Sequence, residues 1–186
     1  IPALPVWPAS LALDALCLEP RTDWAGGFRA AWQPGERGAA KQLRGFLAAA
    51  LADYPTGRDR PDRIGTSRLS PHLHFGEISP RQVWHAVVAR QARESGPAVA
   101  TAAEAYRREL GWREFAHQLL FHFSHTTCEP LKTQFAHFPW DHNPPALQAW
   151  QRGLTGYPIV DAGMRELWST GWMHNRVRMI VASLLV

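Results

Sequence analysis

The sequence predicts an all-α protein. Apolar residues recur at helical spacing along most of the chain, and no segment shows the sustained apolar–polar alternation that is typical of a strand. Glycine and proline interrupt these stretches where helices are expected to begin and end. With 186 residues and no internal repeat, the chain is long enough for one helical domain with a hydrophobic core.

Composition narrows the class of protein. Hydrophobic residues make up 46% and charged residues 19%, which is typical of a globular chain. The net charge of +4 favours a polyanionic partner, although only weakly. Cys17 and Cys128 lie far apart, which indicates a reducing compartment without a disulfide framework. The longest apolar run, 179–186, is shorter than the ~20 residues of a membrane span. We therefore expect a cytoplasmic protein without a membrane partner.

Residues 1–37 are rich in proline, glycine and tryptophan, with a proline at every third position near the start. This pattern predicts an extended interdomain linker that leads into a helical domain over 38–186. We expect a further domain before the linker. We also expect the last helix to be cut at Val186, because the chain stops in an apolar helical stretch without a capping signal.

The first helices follow from an apolar face and a capping signature. After Gly38 one face of a helix carries Leu43, Phe46, Leu47, Ala50, Leu51 and Tyr54. Ser79, Pro80 and Gln82 predict a helix start with a capping box. Four residues of that helix are expected to face inward: Val83, Trp84, Val87 and Val88.

The remaining helices follow from breakers and caps. A long helix is expected over about 98–124, and Asn143 before two prolines predicts a short helix. Residues 160–170 predict another helix, with Gly171 as its C-terminal cap. The stretch 171–179 reads as part of one final helix that continues into the apolar end of the chain.

Residues 65–71 place three hydroxyls and one guanidinium around a turn. Ser70 stands before Pro71 and can cap a helix. A helix start with free N–H groups and nearby hydroxyls also binds phosphate. Both interpretations of this loop remain open from the residues alone.

Within the long helix, Glu109 and Arg113 are four residues apart and can form a surface pair, while Trp112 can belong to the core. The alternative is a binding role, in which Trp112 stacks on a base and Glu109 accepts a hydrogen bond from its imide edge. Gly111 is costly inside a helix, and a closely approaching ligand would explain it.

The last helix carries an indole, an amide and two guanidinium groups, which suit a nucleobase, a flavin and phosphates. Core packing is the alternative for Trp172 and Met179, whereas the amide of Asn175 needs partners if it is buried. The closest histidine pairs, at 72 and 74 and at 122 and 125, lack carboxylate or cysteine neighbours at zinc-site spacing. We expect no metal site.

Four stretches, taken together and in order, resemble signatures of the flavin-binding domain of DNA photolyases and cryptochromes: 66–81, 112–115, 156–161 and 172–176. The resemblance extends from about Asp23 to the end of the chain. It implies a helical FAD-binding domain that lacks its amino-terminal α/β antenna domain and part of its carboxyl-terminal end. The antenna chromophore therefore cannot be read from this sequence.

The resemblance also implies roles for individual residues. Those that would contact FAD are Tyr54, Thr66, Ser67, Arg68, Leu69, Ser70, Tyr106 and Arg178. Those that would contact DNA or the lesion are Arg58, Glu109, Trp112, Arg113, Asn175, Arg176 and Met179. Glu109 and Asn175 would also stabilise charge on the pyrimidine carbonyls. Trp140 matches the outermost member of a tryptophan chain that carries electrons to the flavin.

The activity implied is light-driven repair of cyclobutane pyrimidine dimers in damaged DNA, by electron transfer from reduced anionic FAD to a flipped-out dimer. The resemblance points to the microbial class I photolyases, and Asn175 supports this because plant-type cryptochromes carry Asp there. The whole protein is expected to be a monomer, and this fragment alone to be inactive. The alternatives are a cryptochrome-type photoreceptor without repair activity and a cofactor-free helical module that binds nucleic acid.

Overall fold

The structure is a computed structural model that describes residues 10–18, 22–94 and 96–185, and this part of the chain contains helices and no strand. The prediction of an all-α fold is confirmed. The helices are α1 Gly26–Ala31, α2 Glu36–Ala49, α3 Tyr54–Gly57, α4 Ser70–His74, α5 Pro80–Arg93, α6 Pro97–His122, α7 Pro144–Gln151, α8 Pro158–Thr170 and α9 Asn175–Leu185. Short 3₁₀ turns cover Leu13–Leu16, Ser124–Thr127 and Thr133–Phe135.

The larger core lies where α2, α3, α5 and α6 meet. Its buried residues include four of the predicted apolar face: Leu43, Phe46, Leu51 and Tyr54. The prediction that one helix carries all four is wrong, since α2 ends at Ala49 and Tyr54 begins α3. The N–H of Leu51 donates to the carbonyl oxygen of Phe46 at 3.0 Å and closes the end of α2. From α5 it takes Val83 and Val87, both fully buried, whereas Trp84 and Val88 are 43% and 38% exposed. The prediction that all four residues face inward is wrong for Trp84 and Val88. Each follows a buried valine by one residue, so it lies about 100° further round the helix.

A smaller core joins α8 and α9 through Val160, Met164, Met173, Val177 and Val181, with Trp150 of α7 packed against them. The indole Nε1 of Trp150 donates to the carbonyl oxygen of Val181 at 2.9 Å. Gly163 allows the close approach, because a Cβ at that position would overlap the Cγ1 of Val177. The core thus fixes how α9 lies against α8.

The predicted caps of α5 and α8 are confirmed, and α7 also has a side-chain cap. The Ser79 hydroxyl accepts from the Gln82 N–H, and the Gln82 side chain accepts from the Ser79 N–H, which completes the capping box of α5. Asn143 Oδ1 accepts from the N–H of Ala146 at the start of α7. Gly171 closes α8 in the left-handed conformation, with φ of 70°.

The prediction of one continuous helix from residue 171 onward is wrong. Gly171 ends α8, residues 172–174 are not helical, and α9 begins at Asn175. The left-handed backbone of Gly171 turns the chain out of the helical path. The hydroxyl of Thr170 then accepts from the N–H of Trp172 at 3.2 Å and holds the chain in this turn. The indole of Trp172 and the side chains of α9 therefore belong to two separate elements.

The predicted linker contains one packed helix. The prolines near the start of the chain lie outside the described residues, but residues 26–31 form α1 against α8. Gly27 lies against the backbone of Ser169, and the indole Nε1 of Trp32 donates to the carbonyl oxygen of Thr170 at 2.6 Å. No helix of the described chain is both long and apolar enough to span a bilayer.

Candidate functional site

A network of alternating charges links three separate parts of the fold. Arg58 follows α3, and its Nη1 contacts Glu109 Oε1 of α6 at 2.5 Å. Its Nε lies 3.8 Å from Asp59 Oδ1, and that same oxygen accepts from the Nε of Arg176 on α9 at 2.7 Å. We call Glu109, Arg58, Asp59 and Arg176 the charge network. It joins residues that stand 51 and 117 positions apart in the chain.

Arg58 is the centre of the charge network. Its Cζ lies 5.5 Å from the centroid of the Tyr54 ring. Burial lowers the pKa of Arg58, but the hydrogen bond to Glu109 and the nearby charges raise it more, so the net pKa lies above its usual value. The guanidinium therefore stays charged and holds Glu109 in place.

The aromatic residues predicted to contact FAD lie directly behind this network. The rings of Tyr54 and Tyr106 are buried edge to face, with centroids 5.0 Å apart, and both pack on Phe46. Burial raises the pKa of Tyr106 to about 12, although the neighbouring Ser67 opposes this shift. Burial also raises the pKa of Tyr54. Both phenols are therefore neutral at ordinary pH, and their contact with a flavin stays a prediction.

The loop before α4 is fixed by Arg68. This residue has a left-handed backbone, with φ of 51°. Its Cζ lies 4.3 Å from the ring centroid of Trp172 and 5.3 Å from that of Trp32. The Nε atom is buried and has no hydrogen-bond partner among the described residues. Arg68 thus ties the loop to the α8–α9 connection and to the segment after α1.

Ser70 does not cap α4, so that prediction is wrong. The helix begins at Ser70 itself, Leu69 stands at the N-cap, and no side chain caps this end. The hydroxyl of Ser67 instead accepts from the N–H of Leu69 at 3.4 Å, while the carbonyl oxygen of Ser67 accepts from Gln42 at 2.9 Å. Leu69 is buried and anchors the loop to the larger core. The phosphate interpretation of Thr66 and Ser70 stays a prediction.

On α6 the surface-pair interpretation is wrong. Glu109 pairs with Arg58, and Arg113 pairs with Glu114 at 3.0 Å, because the α3 loop approaches the Glu109 side of the helix. Trp112 is 64% exposed, so the core interpretation of this indole is also wrong. A Cβ added at Gly111 would meet no atom of the described chain within 4 Å. This side of α6 is open.

On α9 the predicted side chains lie on the surface. Asn175 is exposed and Met179 is 55% exposed, so core packing is the wrong interpretation for Met179, and the amide needs no buried partner. Nη1 of Arg176 lies 3.5 Å from the Met179 sulfur, which places Met179 beside the charge network. Arg178 is exposed and donates to the carbonyl oxygen of Met173 at 3.3 Å.

Trp140 lies apart from these residues. It is 64% exposed in the segment before α7, and its ring packs on Phe138 with centroids 4.6 Å apart. Within the described chain, no hydrogen bond, ion pair or ring contact joins it to the charge network. Its role in electron transfer stays a prediction.

Two residues of this region were not predicted from the sequence. Asp59 bridges Arg58 and Arg176, but nothing in its local pattern distinguishes it from a solvated loop residue. His174 is only 3% exposed and accepts a hydrogen bond from the N–H of Arg176. Its place before a helix could have indicated a cap, but the prediction of one continuous helix removed that signal.

Comparison with known proteins supports the resemblance. Residues 106–186 match the family described as the FAD binding domain of DNA photolyase. A deoxyribodipyrimidine photo-lyase of Agrobacterium fabrum is 47% identical over 182 residues, which cover 97% of this chain and 37% of that protein. The chain belongs to the DNA photolyase and cryptochrome family. It spans about a third of the length of the curated photolyases that it matches.

Both branches of the photolyase and cryptochrome family match. A deoxyribodipyrimidine photo-lyase of Synechococcus is 44% identical and covers 88% of this chain and 33% of that protein. Cryptochrome-2 of Arabidopsis thaliana is 43% identical and covers 84% of this chain and 26% of that protein. The identities to the photolyase and to the cryptochrome are nearly equal, so they do not distinguish a repair enzyme from a photoreceptor.

A solved structure of a photolyase gives the same fold. A bacterial class III photolyase from Agrobacterium tumefaciens superimposes with a TM-score of 0.89 at 47% identity, over 98% of this chain and 37% of that one. The class I assignment that the resemblance implied is not confirmed by this comparison.

Proposed function

We propose that this chain is the FAD-binding and lesion-contacting part of a light-driven photolyase that repairs cyclobutane pyrimidine dimers in DNA. The charge network is the observation that carries the proposal. It brings Glu109 of α6 and Arg176 of α9 to the same two residues after α3, so that the two helices expected to contact the lesion are joined. An exposed indole, Trp112, lies one turn along α6 from Glu109.

The donors of the 66–70 loop fit FAD. The loop carries the hydroxyls of Thr66, Ser67 and Ser70 within two residues of Arg68, whose buried Nε has no partner in the described chain. Hydroxyl and guanidinium donors are the groups that proteins use for phosphates. We infer that this loop holds the phosphate and ribityl part of FAD, with Arg178 and Tyr106 nearer the ring. When bound, FAD supplies light-driven one-electron chemistry to the dimer.

The chain's own residues bind and orient the lesion. A dimer must leave the duplex to be reached, and its weak stacking lowers that cost. The open indole of Trp112 replaces lost stacking, an interaction worth ~1–3 kcal/mol per base. Arg58, Arg113 and Arg176 each pair with a carboxylate, yet all keep surface exposure from which to contact phosphates with little sequence preference.

Glu109 and Asn175 orient the pyrimidine rings. Oε1 of Glu109 accepts from Arg58, while Oε2 has no hydrogen-bond partner in the described chain. This leaves Oε2 available to contact an imide N–H. The amide of Asn175, exposed at the start of α9, has the donors that suit a pyrimidine carbonyl.

The test is an absorption spectrum of the purified whole protein that contains this chain, followed by illumination with an oligonucleotide that contains a dimer. A flavin spectrum and light-dependent loss of dimers support the proposal. A flavin that photoreduces while dimers persist would instead support a photoreceptor, the candidate favoured by the cryptochrome matches. A colourless protein that binds DNA would support the cofactor-free module.

Several finer assignments belong to the same proposal. We propose that residues 1–37 are an interdomain linker and the entry to the helical domain, with α1 as part of that entry, and that residues 38–186 are the FAD-binding domain. We also propose a monomeric protein and a cytoplasmic location. Trp140 is proposed as the surface member of an electron-transfer chain because its indole is exposed to solvent reductants. The assignment to the class I subgroup rests on Asn175 and the family resemblance alone. A repair assay on cyclobutane pyrimidine dimers in double-stranded DNA tests this assignment.

A further inference from the structure

His174 occupies the N-cap position of α9. Its carbonyl oxygen accepts the first hydrogen bond of the helix, from the N–H of Arg178 at 2.9 Å. Its ring Nδ1 accepts from the N–H of Arg176 at 3.2 Å. An N-cap side chain satisfies an otherwise free N–H of the first turn in this way, and serine, threonine, aspartate or asparagine usually fills the role. Here an imidazole performs it.

The hydrogen bond defines the protonation state of the ring. Because Nδ1 accepts, the proton of the neutral imidazole lies on Nε2. That atom is buried without a partner among the described residues, and the whole residue is only 3% exposed. A second proton on Nδ1 would remove the acceptor and place a positive charge at the N-terminus of α9, where the helix dipole opposes it.

The groups around the ring come from three elements. Glu166 lies on α8, Arg176 on α9 and Asp59 on the loop after α3, while the indole of Trp172 meets the ring edge to face at 6.1 Å. Burial lowers the pKa of His174; Glu166 and Asp59 oppose this shift, Arg176 adds to it, and the net pKa lies below the usual 6.5. The surroundings thus favour the neutral ring, which is the form that caps.

We propose that His174 is a positioning residue whose neutral imidazole caps α9 and holds its first turn in the geometry that contacts DNA. That turn carries Asn175 and Arg176, and Met179 follows one turn later. This inference rests on the proposed function only for the identity of the ligand. The cap itself is a property of the chain, and it also supports the Arg176 contact to Asp59.

Acid should release the cap. The unfolded or frayed state takes up a proton on His174 near pH 6.5, whereas the folded state resists it to a lower pH. The stabilisation is therefore complete above about pH 6.5 and is lost as the pH falls through the lowered pKa. Fraying of the first turn reduces the fraction of protein that can bind, and the apparent affinity falls by that fraction.

The experiment compares the wild-type protein with His174→Asn and His174→Ala from pH 8 to pH 5.5. Asparagine is a strong N-cap that does not titrate in this range, so it separates capping from protonation. The readouts are hydrogen exchange of the peptide over 172–180, as protection factors, and affinity for an oligonucleotide that contains a dimer. The variants are compared with the wild type at the same pH. This cancels the intrinsic pH dependence of hydrogen exchange and any effect of other histidines on DNA binding.

We expect wild type and His174→Asn to agree within about twofold at pH 8. His174→Ala should protect the peptide about fivefold less, as for loss of one cap, and should bind up to about fivefold less tightly, because affinity follows the fraction with a formed first turn. As the pH falls below 6.5 and through the lowered pKa of His174, the wild type should fall toward the alanine variant while His174→Asn does not. Parallel pH profiles for wild type and His174→Asn would overturn the proposal, even if the alanine variant fails to fold. If neither the wild type nor the two variants bind the dimer at any pH, the proposed function fails. The hydrogen-exchange data alone then decide whether His174 caps α9.

Discussion

Arg176 on α9 contacts Asp59 on the loop after α3, with Nε and Oδ1 2.7 Å apart across 117 positions of sequence. Since Arg58 lies beside the same carboxylate and also holds Glu109, this contact links α9 to the residues that hold Glu109 of α6. Both partners are partly exposed, so the pair itself adds little stability. The packing of the small core positions α9, and the pair then brings Arg176 to the charge network.

Trp112→Ala should weaken binding to dimer-containing DNA by ~1–3 kcal/mol, because the substitution removes a stacking surface. Its effect on unfolding should be small, since the indole is 64% exposed. Binding titrations and urea denaturation measure the two effects. Trp168→Ala is the matched control: that indole is 78% exposed on α8 and should tolerate the change in both assays. Equal affinities for the two variants would contradict a stacking role.

Glu109→Gln should lower the repair yield per absorbed photon by about tenfold, on the scale of one charge-assisted hydrogen bond. The amide keeps the shape of the side chain but removes the charge that Arg58 holds. Photolysis of a dimer-containing oligonucleotide measures the yield. Glu114→Gln, which alters the exposed pair with Arg113, serves as the control and should change little. An undiminished yield in Glu109→Gln would argue against any role for its charge.

Gly163→Ala and Gly111→Ala should have opposite effects on stability. At Gly163 a Cβ would overlap Val177, so the substitution separates α8 from α9 and should cost ~1–3 kcal/mol. At Gly111 the Cβ would meet open space, and alanine should stabilise α6 by ~0.5–1 kcal/mol. Chemical denaturation measures both. A stabilising effect of Gly163→Ala would contradict the close contact between Gly163 and Val177 in the structure.

Asp161→Asn should destabilise the loop before α8 and remove an acid-sensitive contribution to stability. The hydroxyl of Thr155 and the N–H groups of Thr155 and Gly156 donate to this carboxylate, which holds the pKa of Asp161 below its usual 3.8. The contribution is therefore present above about pH 4 and is lost as the pH falls through the lowered pKa.

Thermal melts from pH 7 to pH 2.5 measure this loss for Asp161. Asp141→Asn, in an exposed segment, is the control and should melt like the wild type. If Asp161→Asn melts at the wild-type temperature at pH 7, the carboxylate does not organise the loop.

Local signals predicted much of the fold. The capping box at Ser79 and the left-handed Gly171 depend on bonds within a few residues, so the sequence alone specifies them. The apolar face that includes Leu43 and Phe46 was also predictable, because helical spacing fixes which residues lie together. The interruption before α9 was missed because Trp172, Met173 and His174 have no strong preference against a helix.

The sequence by itself determined the helical class, most helix starts and stops, and the four motifs that indicate the family, since these depend on residue type and spacing. Only the tertiary structure decided that Glu109 pairs with Arg58 instead of Arg113, that Asp59 receives Arg176, and that His174 caps α9. A charged side chain has several partners of suitable charge along the chain. Which one it meets depends on the packing of the helices, and local sequence carries no record of that packing.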